Sequence, residues 1–149
     1  MGQRFRYGRT IVALGLALVT ANPAPLGAAI FDDASVITLP SGNLSTEATS
    51  IRKVLEAYVH AVEAKDVQMF RTVKPNLSED EEKRVRMAFK SIQSQVVKMN
   101  VLALDVKDGK ATVKVSRRDT INGTIVSSFP QTFQLAKESA GWTIQDIGR

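Results

Sequence analysis

Apolar residues recur at three- and four-residue intervals in the middle of this chain and at two-residue intervals in its last third. The first spacing is clearest over residues 47–64, where Ile51, Leu55, Tyr58 and Val62 fall on one face of a helix and charged residues on the other. The pattern predicts a long amphipathic first helix whose apolar face packs against the rest of the domain.

Two shorter helices are predicted next. Asp66 can accept backbone N–H groups at the start of a helix that ends before Pro75. We favour this capping role for Asp66 over that of a catalytic base. Ser78 followed by Glu81 forms a capping-box pattern at the start of a third helix. The apolar stripe of that helix consists of Val85, Phe89 and Ile92.

After about Ser94 the two-residue period and the many β-branched residues indicate strands. Asp108-Gly109 and Asn122-Gly123 are dipeptides that suit tight hairpin turns. Pro130 lies inside the third of these strands, which implies an edge position or a bulge there, because proline has no N–H to donate. The predicted fold class is α+β, with N-terminal helices packed on an antiparallel sheet of four or more strands, and residues 36–39 are a candidate edge strand.

The first 29 residues have the order of a secretory signal peptide. Arg4, Arg6 and Arg9 precede an apolar run over residues 11–19, and small residues allow cleavage after Ala21 or Ala29. The run is short for a membrane span, which takes about 20 apolar residues, so an uncleaved anchor is the minor alternative. We therefore expect a periplasmic or secreted protein that meets the membrane only during export. Its domains would be 1–29 signal peptide, 30–49 linker or loosely docked arm, and 50–149 folded domain.

Charge and composition exclude several functions. The chain has 20 basic and 15 acidic residues, but three of the basic ones precede residue 30, so the remainder carries 17 minus 15, or +2. Nucleic-acid binding thereby loses its electrostatic support. There is no cysteine and His60 is the one histidine, so we expect no thiolate chemistry, no metal site and no cofactor.

The helix-one phrase AYVHAVEAKD, the hairpin KDGKATVKV and the terminal phrase GWTIQDI resemble SnoaL-like members of the nuclear-transport-factor-two-like superfamily. The resemblance covers nearly all of residues 50–149. It implies a curled sheet that wraps around the long first helix as a cone. Function does not follow from this fold, which carries enzymes, transport factors and binding domains.

Tyr58 and Arg117 are the candidate ligand-binding residues. The segment YVHAVEAKD is similar to the first helix of ketosteroid isomerases, and this similarity implies that Tyr58 donates a hydrogen bond to an oxyanion. Strand alternation places Arg117 on the same face as Val113 and Val115, so it would point toward the mouth of the cone. The alternatives are a core tyrosine with one polar partner and an arginine that reaches water.

The sequence favours an exported binding or accessory module over an enzyme, because no aspartate-bearing segment of the isomerase type follows the second helix. With a neutral donor, a cation and no carboxylate nearby, we expect a small apolar, carbonyl-bearing or anionic ligand. One alternative is a small isomerase or dehydratase that uses Tyr58 as its donor and a carboxylate that the sequence does not identify. The other is a dimerisation domain that forms a homodimer through the outer sheet face.

Overall fold

The computed structural model describes residues 37–38 and 45–149. The expected signal peptide and most of the expected linker lie outside these residues. The elements are, in chain order, β1 (Ile37–Thr38), α1 (Thr46–Ala64), α2 (Val67–Val73), α3 (Glu79–Ser91), β2 (Gln95–Lys107), β3 (Lys110–Ile121), β4 (Ile125–Glu138) and β5 (Gly141–Gly148).

The helices begin where their capping residues predict. The Ser45 hydroxyl accepts the Ala48 N–H at 3.1 Å at the start of α1, and Asp66 accepts two N–H groups at the start of α2. Ser78 and Glu81 form the complete capping box of α3. The first helix ends at Lys65, whose backbone takes the left-handed conformation with φ of 54°. All three predicted helices and the capping role of Asp66 are confirmed.

The apolar stripe of α3 packs less deeply than its pattern suggests. None of the α3 residues is fully buried, and Val85 and Phe89 are partly buried against the core. Ile92 lies just beyond the helix as its C-terminal cap. This helix therefore covers the margin of the core, whereas α1 contributes seven buried residues to it.

The five strands form one sheet in the order β1-β2-β3-β4-β5. The short β1 runs parallel to β2, and every other pair is antiparallel. Both predicted hairpin turns are present, with positive φ at Asp108, Gly109, Asn122 and Gly123. Pro130 lies beyond the end of β5, which pairs with β4 only from Thr132 to Glu138, so β4 is an edge at Pro130. The α+β prediction is confirmed.

The three helices cover one face of the sheet, which we call the inner face. Alternate residues of β3 are buried on this side, from Ala111 to Asp119, while the intervening residues are exposed or half-buried. The first helix packs against β2 and β5. The core includes Leu55, Phe133, Trp142 and Ile144. Among residues 45–149 no helix has both the length and the apolarity that a membrane span requires.

Candidate functional site

The inner face changes from apolar to polar along β3. Ala111, Val113 and Val115 make its first part apolar, and the next two inward positions are Arg117 and Asp119, which are also buried. Gln131 of β4 and the half-buried Gln95 of β2 extend this polar area on the neighbouring strands. We call these four residues together with Tyr58 the polar network.

Arg117 is the centre of the polar network. Its Nε and Nη2 atoms donate to Asp119 Oδ1 and Oδ2 at 2.6 and 2.8 Å, so the pair is bidentate. Its Nη1 atom donates to Tyr58 Oη at 2.8 Å and to Gln131 Oε1 at 3.2 Å. The side chain is thus held by partners from α1, β3 and β4, and the guanidinium cannot rotate without breaking several bonds.

The structure brings the two sequence-predicted site residues into direct contact. Tyr58 and Arg117 are 4% and 6% exposed, so Arg117 does not extend into water. The expectation that no carboxylate would be nearby was wrong, because Asp119 forms an ion pair with Arg117. The positive charge of Arg117 is therefore neutralised within the protein, which changes the class of ligand that this site would attract.

Tyr58 combines an apolar setting with a free donor. Its ring packs against Phe70 and Phe133, with centroids 5.6 and 5.1 Å away. Its oxygen accepts from Arg117, and within residues 45–149 the hydroxyl proton has no acceptor. Burial raises the pKa of the Tyr58 phenol above its ordinary value of 10, and the smaller effect of the Arg117 charge does not reverse this. Tyr58 therefore remains a neutral hydrogen-bond donor at neutral pH.

Asp119 is poorly placed to act as a general base. Its Oδ1 accepts from Arg117 Nε, and its Oδ2 accepts from both Arg117 Nη2 and Gln95 Nε2, the last at 2.7 Å. Three of the roughly four acceptor positions of the carboxylate are thus already used by Arg117 and Gln95. The arrangement suits a fixed electrostatic partner of Arg117.

Beyond the polar network, toward the β3–β4 hairpin, the inner-face residues of β4 are exposed. Ile125 and Ser127 share the inner-face phase of β4 with Phe129 and Gln131, and both are exposed. The Phe129 ring has the guanidinium groups of Arg117 and Arg149 each 5.4 Å from its centroid. Ile125, Ser127 and Phe129 form this end of the inner face, next to the polar network. We call this region the network mouth.

His60 and the acidic run over residues 79–82 lie outside the polar network. His60 is exposed on α1. The acidic run over residues 79–82 caps α3 and forms ion pairs on its surface, with Glu82 contacting Arg71 and Arg86. No group of three or more His, Asp or Glu side chains within residues 37–38 and 45–149 could hold a metal ion.

Asp119, Gln131 and Gln95 belong to the site although sequence reasoning did not select them. The alternation that turned Arg117 inward applies equally to Asp119, two residues further along β3. That signal was available in the sequence. Gln131 reaches Arg117 and Gln95 reaches Asp119 only because of the register of β2, β3 and β4. In this register Arg117 pairs with Met99 and Phe129.

Solved structures share this fold. The chain is similar to Bd1075 from Bdellovibrio bacteriovorus, with a TM-score of 0.59 and 13% identity over 68% of this chain and 39% of that one. It is also similar to a nuclear-transport-factor-two-like superfamily protein from Salmonella enterica serovar Typhimurium, with a TM-score of 0.58 and 15% identity over 66% of this chain and 86% of that one.

A third similar structure is a candidate dehydratase of the same family from Streptomyces avermitilis, with a TM-score of 0.56 and 8% identity over 68% of this chain and 93% of that one. No protein-family model matches the chain, and no curated protein matches its sequence. These similarities show the nuclear-transport-factor-two-like fold that the sequence resemblance implied.

Proposed function

We propose that this protein is an exported small-molecule-binding module whose ligand enters the network mouth and accepts a hydrogen bond from the Tyr58 hydroxyl. The observation that carries the proposal is the buried Tyr58 oxygen, which accepts from Arg117 at 2.8 Å while its own proton finds no acceptor in residues 45–149. A buried donor without a partner costs free energy, and a ligand acceptor removes that cost.

The ion pair narrows the ligand class. Because Asp119 neutralises Arg117, an anionic ligand would meet no net positive charge in the polar network, but it would still lose its hydration on entry. A neutral carbonyl oxygen accepts from Tyr58 and loses much less hydration free energy on entry. Arg117 in turn polarises the phenol and makes it a stronger donor. The proposed ligand is therefore a neutral, mostly apolar molecule that carries a carbonyl group.

The alternative within the same site is a dehydratase-like or isomerase-like enzyme. A neutral tyrosine can polarise a carbonyl in such a reaction, and a similar fold from Streptomyces avermitilis is described as a candidate dehydratase. The chemistry also needs a proton acceptor, and both oxygens of Asp119 are already engaged by Arg117 and Gln95. We therefore propose binding without catalysis.

The other alternative is a homodimer formed through the outer sheet face. Val96 and Val126 are exposed apolar residues on this face and favour such an interface. Lys98 and Arg118 lie directly opposite each other on adjacent strands of the same face, and this concentrated positive charge opposes contact between two copies. Sedimentation at two salt concentrations distinguishes the cases, because a dimer limited by charge repulsion strengthens with salt.

The experiment that tests the binding proposal compares acetophenone with ethylbenzene, which has nearly the same shape but no carbonyl. In NMR titrations we expect the ketone to bind more tightly to the unmodified protein and to shift the amides of Phe129 and Gln131. A net hydrogen bond of about 0.5–1.5 kcal/mol corresponds to roughly 2- to 13-fold in affinity.

Tyr58→Phe provides the decisive control. It keeps the ring that packs on Phe70 and Phe133 and removes only the hydroxyl. The ketone and the hydrocarbon should then bind equally. A ketone preference that survives in Tyr58→Phe would contradict the proposal.

The exported location is a part of the proposal that needs its own measurement. It is supported by the basic start, the short apolar run and the small residues over positions 1–29. The intact mass of protein recovered from the periplasm or medium should correspond to a chain that starts at Asn22 or Ile30. A mass that still includes Arg4 and Arg6 would favour the anchor alternative.

A further inference from the structure

A surface cavity lies between α2, α3 and β5. It has a volume of about 230 Å³. Its walls are the apolar side chains of Phe70, Leu77, Val85 and Ile147. Three charged residues, Lys74, Glu81 and Arg84, also line it. We call it the lysine crevice, and the polar network is not part of its lining.

Lys74 is the unusual residue of the lysine crevice, because a lysine is rarely buried without full pairing. It is 4% exposed, and it lies at the end of α2. Its ammonium donates to Asn76 Oδ1 at 3.0 Å and lies 3.5 Å from Glu81 Oε1. An ammonium has three N–H donors, and within residues 45–149 only the Asn76 contact has ordinary hydrogen-bond length.

Glu81 does not fully compensate Lys74. Its Oε2 accepts from the Ser78 N–H at 2.9 Å and from the Ser78 hydroxyl at 2.8 Å, so the carboxylate is held at the start of α3. These Ser78 hydrogen bonds are the main reason that the pKa of Glu81 lies below its ordinary value, and Lys74 contributes less. The carboxylate stays ionised and its position is set by the capping box.

Arg84 adds a second cation at the lysine crevice. It is exposed and forms no ion pair or hydrogen bond with residues 45–149. The lining therefore carries two positive charges and one negative charge, or a net charge of +1. One monovalent anion would neutralise this net charge, with Lys74 and Arg84 as its two hydrogen-bond donors.

We propose that the lysine crevice binds a small monocarboxylate with an apolar body, a ring or a short chain. The carboxylate would bridge the Lys74 ammonium and the Arg84 guanidinium, and the apolar body would contact Leu77, Val85 and Ile147. At roughly 30 Å³ per water molecule, the cavity equals about eight waters, which is enough for one ring with a short acid group. Neutral molecules of the same shape would leave the two cations without this partner.

The probe for this site is phenylacetate, and its matched control is phenylacetamide, which has the same shape without the charge. We expect phenylacetate to bind at least about tenfold more tightly. In NMR titrations it should shift the amides of Leu77, Val85 and Ile147. Equal affinities for the two compounds, or shifts confined to the network mouth, would overturn the proposal.

Three variants assign the binding to named residues. Arg84→Gln should weaken phenylacetate binding about fivefold, and Lys74→Met about tenfold or more, while phenylacetamide binding stays unchanged. Lys83→Gln is the matched control, because it removes the same charge from α3 at a residue outside the lining. An equal loss in Lys83→Gln and Arg84→Gln would show a general charge effect and would overturn the proposal.

The Lys74 variant also removes a buried hydrogen bond, so its fold is checked first by its amide spectrum. Arg84 is exposed, and Arg84→Gln therefore tests the proposal even if Lys74→Met unfolds. Tyr58→Phe separates this site from the network mouth. Phenylacetate binding that is lost in Tyr58→Phe and kept in Arg84→Gln would place the probe at the mouth and overturn the proposal.

Discussion

The two ends of the inner sheet face differ in what holds them together. At the apolar end, Val113, Val115 and Phe133 are removed from water by α1 and need only to fill space. At the polar end, Arg117 and Asp119 are equally buried, but each is stable there only while its partners remain. The apolar end depends on close packing, whereas the polar end depends on its buried ion pair.

This difference explains why the candidate site lies at the polar end. Close packing leaves an apolar core without donors to offer, so it has no means of recognising a polar ligand. The polar network keeps one donor, the Tyr58 hydroxyl, in a fixed position beside the guanidinium of Arg117. A ligand that uses this donor completes an arrangement that the protein has already ordered, and little further entropy is lost on binding.

The largest expected effect comes from removing one member of the buried ion pair. Asp119→Ala leaves the Arg117 charge buried without its carboxylate, and this should lower the free energy of unfolding by about 3 to 5 kcal/mol. Urea unfolding followed by circular dichroism measures the change. A loss below about 1 kcal/mol would show that water or a rearranged side chain compensates Arg117, contrary to the pairing described above.

The double variant Arg117→Met with Asp119→Ala sharpens the same comparison. It removes both charges and replaces the guanidinium with an apolar side chain of similar length. We expect it to be more stable than Asp119→Ala alone, because no unpaired charge remains. If the double variant were the less stable of the two, Arg117 would have to stabilise the fold through Tyr58 and Gln131 instead.

At the apolar end the largest effect should come from Leu55→Ala. Leu55 is 0% exposed in the core, so its truncation should cost about 2 to 5 kcal/mol through lost burial and the cavity that remains. Lys53→Ala, at an exposed position on the same helix, should change stability by less than about 0.5 kcal/mol. Equal effects of the two variants in urea melts would contradict the assigned face of α1.

The sequence predicts the elements whose signals are local. Each of these signals depends on residues within four positions of each other. They are the helix starts at Asp66 and Ser78 and the turns at Asp108 and Asn122, and all appear as predicted. The fold also followed from the order of these elements and from the resemblance. The inward orientation of Tyr58 and Arg117 followed from the phase of one helix and one strand.

The rest of the site depends on register and packing, which short patterns do not specify. Asp119 could have been selected from the alternation of β3, but its bond to Gln95 requires the pairing of β2 with β3. That pairing contains an irregularity between Val101 and Ala103, and the pairing of β4 with β5 contains another at Gln134. The lysine crevice needs β5 to pack beside α2 and α3, and no local signal indicates that.

Tyr58→Phe should have a smaller effect on stability than Asp119→Ala, which breaks the ion pair. The hydroxyl accepts one hydrogen bond from Arg117, and without it Arg117 still keeps Asp119 and Gln131. A typical net hydrogen bond contributes about 0.5 to 1.5 kcal/mol, and thermal or urea unfolding should show a loss in that range. A loss as large as that of Asp119→Ala would mean that the phenol, not the carboxylate, is the main partner of Arg117.

The smallest expected effect is an acid dependence that originates far from the polar network. Glu47 at the start of α1 accepts hydrogen bonds from Lys137 and from the Trp142 indole, and these bonds lower its pKa below the ordinary value of 4.5. A carboxylate whose pKa is lower in the folded state stabilises the fold above its unfolded pKa. That stability is lost as the pH falls through the folded value.

We therefore expect the wild-type protein to lose stability between neutral pH and pH 3, and Glu47→Gln to lose less over the same interval while starting lower. Glu47 is on the surface, where solvent weakens charge interactions, so the difference between the two curves should be small. Urea midpoints measured at each pH provide the comparison. Parallel curves for the two proteins would assign the acid dependence to other carboxylates. Glu82 and Glu81 would then be the next residues to substitute. A hydrogen bond from Arg86 lowers the pKa of Glu82, and hydrogen bonds from Ser78 lower the pKa of Glu81.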